Sequence, residues 1–371
     1  MVVAVTVILA IVLLALVFFL VQKLVPSFGG RVPVSQRKEF LKLPHYTGTR
    51  FQYPVPTRMT TNLKDMFPVA WEFIKGSPSR KPSAPLPSAT LHADSFQAPS
   101  NPRLIWFGHS AAMLQMEGLT LLIDPMFGIA PSPFPFVGGK RFGRKLPMEL
   151  EALPTIDYVL ISHDHYDHLD YGTIRALKPK VGRFIAPLGV GNHLIRWGVE
   201  KERITELDWW GEMKLGEIKL ACTPARHFSG RGTSSRDSTL WCSWVIHGRE
   251  AKVFFSGDSG YGPHFKQIGE RYGPFDLTMM ECGQYDEKWA AIHMLPEETV
   301  LAHEDVRGDV LMPIHWGSFT LALHDWDDPA ERVSKEAERR GVRLAMPLIG
   351  QSMAIGAGAY PTRKWWRSGK A

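Results

Sequence analysis

Ten residues near the middle of the 371-residue chain, Ile161-Ser-His-Asp-His-Tyr-Asp-His-Leu-Asp170, constrain its fold more than any other feature. Three histidines and an aspartate, His163, His165, Asp167 and His168, follow directly on an apolar run that reads as a strand. A loop at a strand end can turn alternate side chains into one pocket. Imidazole and carboxylate are the usual ligands of catalytic zinc, whereas all-thiolate sites are usually structural. Two ligand pairs this close in sequence can serve two adjacent ions. A surface histidine cluster is the weaker explanation.

The surrounding pattern is α/β. Short apolar runs at 104–107, 119–123, 158–161, 183–186, 218–222, 241–246, 252–255, 275–280 and 310–314 predict strands. Helical patterns lie near 188–197, 263–271, 296–306 and 329–340. Pro296 and Pro329 suit first turns and Gly341 a C-terminal stop. Two β-rich halves with outer helices suggest a four-layer αββα sandwich, one catalytic domain over 103–360. Element spacing alone does not separate it from other α/β folds. No short-period repeat is present. Residues 76–102, rich in Pro, Ser and Ala, read as an extended linker or surface strap.

The H-x-H-x-D-H motif resembles the signature of the metallo-β-lactamase superfamily. Later residues at similar strand ends extend the resemblance: His227 after IKLACTPAR, Asp258 after KVFFSG and His315 after VLMPI. Asp124, ending LTLLI, resembles the buried aspartate that orients the metal loop. The resemblance implies that His163, His165 and His227 hold one zinc and that Asp167, His168 and His315 hold a second. It makes Asp258 the bridge and leaves iron or manganese open as the metal.

Within the superfamily the resemblance is closer to N-acyl-phosphatidylethanolamine phospholipase D, over roughly 104–320. The carrying segments include Trp106-Phe-Gly-His109, Gly139-Lys-Arg-Phe142, Glu206-Leu-Asp-Trp-Trp210, Arg271-Tyr-Gly-Pro-Phe-Asp-Leu277 and Ile314-His-Trp-Gly-Ser318. It implies a phospholipid substrate and a hydroxide attacking phosphorus in line, with Asp167 or a metal-bound water relaying the proton. His293 matches a family histidine near the reaction centre, where a phosphate or leaving-group role competes with a structural one. His109 reads as a pocket residue or one that orients ligands. Met280-Glu-Cys-Gly283 departs from the family's apolar segment and puts a carboxylate, Glu281, beside the expected site. Residues 1–75 look unrelated to the animal enzymes.

The first 22 residues carry no charged side chain. At about 1.5 Å per residue they span roughly 30 Å of hydrocarbon. The apolar run starts at residue 2 and LVPSFGG is a poor cleavage site, so an uncleaved single transmembrane helix is expected rather than a signal peptide. Residues 23–64 then carry eight basic groups against one acid, Glu39, and 361–371 carry four basic groups and no acid. Removing these from totals of 43 basic and 37 acidic residues leaves 31 and 36 in the body, net −5. The overall +6 is therefore a property of the ends. The positive-inside rule places the N-terminus out and the catalytic body on the cytoplasmic face, with 23–102 as a basic juxtamembrane segment and Pro/Ser-rich linker whose charges either rest on anionic headgroups or only set topology. Three cysteines exclude a disulfide scaffold. A net-negative body is a poor surface for nucleic acid. The Arg-Lys-Trp-Trp-Arg run at 363–367 suits a membrane interface or a disordered tail. Trp209 and Trp210 read as core packing. A metal-dependent lactonase or another phosphodiesterase of the same fold is the alternative activity and a non-catalytic membrane scaffold a remote one. A homo-oligomer remains open.

Overall fold

The computed structural model describes residues 2–57, 63–143 and 145–369; Met1, Arg58 and Lys370 of the charge and anchor readings fall outside them. Helix α1 (Val2–Leu24) opens the chain, followed by α2 (Val34–Phe40) and α3 (Leu63–Lys75). The first half of the body holds β1 (Arg103–Trp106), β2 (Ala112–Met116), β3 (Leu119–Ile123), β4 (Ile156–Leu160), α4 (Tyr171–Leu177), β5 (Val181–Pro187), α5 (Gly191–Arg196) and β6 (Ile204–Leu207). The second holds β7 (Glu212–Leu215), β8 (Ile218–Thr223), β9 (Ser243–His247), β10 (Lys252–Phe255), α6 (His264–Tyr272), β11 (Phe275–Glu281), α7 (Pro296–Asp305), β12 (Gly308–Ile314), α8 (Asp328–Arg340) and β13 (Arg343–Leu344). A last strand, β14 (Ser352–Ala354), returns to the first sheet.

The sheets run β14-β1-β2-β3-β4-β5-β6 and β13-β12-β11-β10-β9-β8-β7. Each has three antiparallel pairings at one side and three parallel ones at the other, the antiparallel set running from β14 to β3 in the first sheet and from β7 to β10 in the second. Side-chain alternation divides each strand between two cores. Leu121 and Ile123 of β3 and Val253 and Phe255 of β10 point between the sheets. Leu122 packs outward among α4 and α5, and Phe254 packs outward among α6, α7 and α8. These layers are the expected αββα sandwich. Gly341 ends α8 in the left-handed conformation at φ 72°, as expected of a C-terminal stop.

Several elements escape the sequence pattern. β2 (AMLQM) lacks β-branched residues, β6 and β7 are four residues long with charged members, and α4 carries a glycine. Residues 76–102 form a strap rather than a loose linker. Arg80 donates to the carbonyls of Glu72 and Leu323, while Ala89 and Leu91 N–H groups bond Ile349 and Pro147.

The reading of the 363–367 run as membrane-seated or disordered is corrected for its two tryptophans. Trp365 and Trp366 are each 1% exposed. Trp365 stacks on Trp316 at 5.2 Å, and Trp366 Nε1 donates to Glu331 at 2.9 Å. The aromatic burial that would suit a bilayer is spent inside the sandwich, at roughly 1.5–3 kcal/mol or more for each large apolar side chain.

Helix α1 is exposed along its length, and its 3–24 stretch has a mean hydropathy of 3.3, long and apolar enough to cross a membrane. Its foot is fixed to the body. Arg196 donates to the Lys23 and Gly29 carbonyls at 2.6 Å, and Trp197 Nε1 to Pro26 at 2.7 Å. Gly30 permits this approach, since a Cβ there would lie 2.0 Å from the Asn192 carbonyl oxygen.

Candidate metal centre

The C-terminal ends of β4 in one sheet and of β8, β10 and β12 in the other meet at one edge, the end of the strands at which α/β folds usually bind ligands. β4 delivers the loop 162–168. Behind it Asp124, buried and left-handed at φ 41°, accepts from Ser162 N at 2.7 Å and lies 2.7 Å from His168 Nδ1. That contact makes Nδ1 of His168 the protonated nitrogen and frees Nε2 for a ligand. Ser162 does the same for His163, its Oγ 2.9 Å from Nδ1. Asp164 turns the opposite way, accepting from Gly230 N at 2.7 Å and lying 3.1 Å from His193 Nε2.

The second half supplies one residue from each of three strand ends. His227, beyond β8, directs Nδ1 to the Ile292 carbonyl at 2.9 Å, leaving Nε2 inward. Asp258 follows β10. His315 follows β12 at φ 67°, in a left-handed conformation held by reciprocal contacts with the loop of β1: its N–H bonds the His109 carbonyl, and His109 N–H bonds that of Trp316. Such conformations persist where surrounding contacts over-determine them.

These residues converge as two adjoining groups. His163 Nε2 and His227 Nε2 lie 2.9 and 3.2 Å from His165 Nδ1. Asp167, His168 and His315 gather with His109, and the ligand atoms within each group lie within 4.8 Å of one another. Asp258 sits between, its Oδ2 3.8 Å from His163 Nε2 and 3.1 Å from His315 Nε2, and its Oδ1 3.1 Å from His168 Nε2. His168 Nε2 and Asp258 Oδ1 are buried without a hydrogen bond, a costly state unless another partner satisfies them.

The donor set fits metal. Burial lowers His165 to about 4, and burial together with His315 lowers His109 to about 3, so both rings are neutral near pH 7. Burial would raise Asp167 and Asp258, but the facing His168 and His315 hold both well below the usual carboxylate range, and these carboxylates in turn push His168 and His315 well above the ordinary imidazole value, so a metal cation would take the place of protons on those two rings. Neutral imidazole and ionised carboxylate are the ligating forms.

A family model for the beta-lactamase superfamily domain matches residues 120–316. The chain belongs to the metallo-β-lactamase superfamily. An uncharacterized protein of Mycobacterium tuberculosis is 43% identical over 92% of each chain. The N-acyl-phosphatidylethanolamine-hydrolyzing phospholipase D 1 of Caenorhabditis elegans is 34% identical over 69% of this chain and 75% of its own. Igni18, a metallo hydrolase from Ignicoccus hospitalis, shares the fold at a TM-score of 0.54 and 21% identity, over 69% of this chain and 99% of that one. The protein is thus a metal-dependent hydrolase of the metallo-β-lactamase superfamily, with His/Asp clusters able to bind metal.

Around this metallo-β-lactamase centre the three remaining expected residues also assemble. His109 Nε2 lies 2.8 Å from Asp167 Oδ2 and fixes that carboxylate. Glu281, at the end of β11, is fully buried. It accepts from Met294 N at 2.6 Å, and its Oε2 lies 2.9 Å from His293 Nδ1. Glu281 also lies 3.5 Å from His315 Nδ1. Its carboxylate therefore positions two histidines rather than facing the open pocket.

The sequence reading missed Arg231, which is fully buried and donates to the carbonyls of Asp164 (2.6 Å), Leu169 (2.7 Å) and Ser27. One guanidinium thus clamps both ends of the metal loop and the foot of α1. Nothing in Ser-Gly-Arg-Gly signals this. His193, read as ordinary, is the buried partner of Asp164. Trp209 is buried, as expected, and donates Nε1 to the Trp241 carbonyl.

Proposed function

We propose that the protein is a membrane-anchored dinuclear zinc phosphodiesterase of the phospholipase D type. It releases N-acylethanolamine and phosphatidic acid from N-acyl-phosphatidylethanolamine. In this reading His163, His165 and His227 hold one ion, Asp167, His168 and His315 the other, and Asp258 bridges them. α1 spans the bilayer with its N-terminus outside and the body on the cytoplasmic face.

The observation that carries the lipid reading is the wall of the pocket. A cavity of about 440 Å³ reaches His165, Asp258, His293 and His315. Its remaining lining is mostly apolar, including Val69, Ala70, Phe73, Trp289, Ile292 and Leu321. Residues 66, 69, 70 and 73 are the i, i+3, i+4, i+7 stripe of α3. The same helix exposes Phe67, Trp71 and Ile74 on a second stripe. A helix apolar towards both the pocket and the outside suits a substrate whose tails stay in a bilayer.

When bound, two metal ions supply a nucleophilic water at neutral pH and neutralise charge on the phosphoryl oxygens. The chain's residues do the rest. His109 holds Asp167, whose carboxylate can accept a proton from the attacking water. Glu281 accepts from His293 Nδ1–H and would stabilise the doubly protonated ring, whose Nε2–H then gives its proton to the departing oxygen. Water oxygen bonds to phosphorus, the bond from phosphorus to the N-acylethanolamine oxygen breaks, and the apolar wall keeps competing water from the tails.

The test is a panel of purified full-length protein in mixed micelles with N-acyl-phosphatidylethanolamine, phosphatidylethanolamine and an acyl-homoserine lactone, read by mass spectrometry. Equimolar phosphatidic acid and N-acylethanolamine are expected. Lactone opening with no phosphatidic acid would overturn the proposal in favour of a lactonase. Topology is read separately: a C-terminal reporter active only in the periplasm would refute the cytoplasmic placement.

A further inference from the structure

A second cavity, of about 480 Å³, opens at the foot of α1 and shares no lining residue with the metal pocket. Five arginines line it: Arg31, Arg37, Arg50, Arg196 and Arg236. No acidic side chain lines it among the described residues. The rest of the wall is glycine and hydroxyl-rich, with Thr49, Ser234, Ser235 and Ser238.

The arginines come from separate segments: the connector after α1, α2, the turn before Phe51, α5 and the loop 229–238. Two have work in the fold. Arg196 binds the last carbonyls of α1, and Arg236 stacks over Phe228 at 4.3 Å and lies 3.5 Å from Asp237. Arg31, Arg37 and Arg50 are exposed and make no ion pair among the described residues. With the carboxylate of Asp237 beside Arg236 at its edge, the five guanidinium groups still leave the cavity strongly positive, and their planar donor forks match phosphate oxygens. Gln22, in the last turn of α1, also lines the cavity, so it sits at the level where the apolar run ends. In a bilayer that is the headgroup layer.

We propose that this cavity binds the phosphate of an anionic phospholipid from the leaflet in which α1 ends, at a site separate from the metal pocket. The inference rests on α1 spanning a bilayer. The loop that forms its wall also carries His227 and Arg231. A headgroup seated here therefore contacts the segment that clamps the metal loop to the anchor.

The test uses the purified full chain in dodecyl maltoside micelles doped with phosphatidylglycerol and phosphatidylcholine at equal levels, with retained lipid counted by mass spectrometry after gel filtration. The wild type is expected to retain about one phosphatidylglycerol per chain and at least fivefold less phosphatidylcholine. The triple variant Arg31→Ala/Arg37→Ala/Arg50→Ala is expected to lose at least fivefold of the retained phosphatidylglycerol. A charge-matched control away from the cavity, Arg175→Ala/Arg249→Ala/Arg343→Ala, is expected to keep it. Equal retention of both lipids, or equal loss in the control, overturns the site. Displacement of the lipid by millimolar inorganic phosphate reassigns it to free phosphate and overturns the lipid proposal. Circular dichroism confirms that each variant is folded. Co-sedimentation with pure phosphatidylcholine vesicles reads the anchor independently: failure there, with selective retention in micelles, refutes the spanning helix and leaves the anion site.

Discussion

The two halves of the sandwich repeat one strand pattern but furnish the metal centre in opposite ways. The first half concentrates its candidate ligands in 163–168, a loop held by Asp124 and Ser162 from its own half and by Arg231 from the other. The second half sends His227, Asp258 and His315 from three strands, so their convergence depends on the register of an entire sheet. A local loop tolerates change elsewhere and fails when its clamps are lost. A dispersed set is exposed to any shift in packing, which is why the buried Trp316–Trp365–Trp366 cluster beside His315 matters to chemistry as well as to folding.

The largest effect should come from Asp258→Ala, which removes the group shared by both halves. Turnover is expected to fall by more than the roughly 10–100-fold typical of a residue that only orients a ligand. Retained turnover would show that the halves work independently. Trp365→Ala should cost about 3–5 kcal/mol of stability by cavity formation, read by chemical denaturation. If it leaves stability intact, the dispersed half does not depend on this packing. Asp124→Asn presents an amide donor to the His168 Nδ1–H and should weaken metal binding about 10–100-fold, measured by chelator competition. No change would remove the local clamp from the account.

A smaller effect belongs to His264 on α6, outside the metal site. Burial, reinforced by Arg226, lowers it to about 3, whereas an unfolded histidine titrates near 6.5. The unfolded chain binds the proton first, so stability is full above about pH 6.5 and declines as pH falls towards 3. Between pH 7.5 and pH 5 this group should cost the wild type about 2 kcal/mol that His264→Gln does not lose. Equal losses in both proteins would contradict the assignment.

The same contrast explains what was legible in the sequence. The loop 163–168 announces itself because its ligands are neighbours in the chain. His227, Asp258 and His315 are single residues that acquire meaning only through strand-end position and family resemblance. Asp124 and Glu281 were recognisable as carboxylates near strand ends, but not which histidine each would hold. Arg231 and the five-arginine cavity were invisible because they depend on contacts between segments roughly sixty to two hundred residues apart. β2, β6 and β7 were missed because neighbouring strands, rather than their own side chains, define them. The terminal tryptophans were misread for a related reason: aromatic and basic residues suit a bilayer surface and a packed core edge equally, and only the position of Trp316 decides between them.

The count of metal ions per chain tests the central claim most directly. In protein purified without chelator and supplied with zinc, elemental analysis is expected to find two ions per chain, falling to one or fewer in His165→Ala. A wild-type value that saturates at one, with full activity, would contradict a centre shared between the two halves.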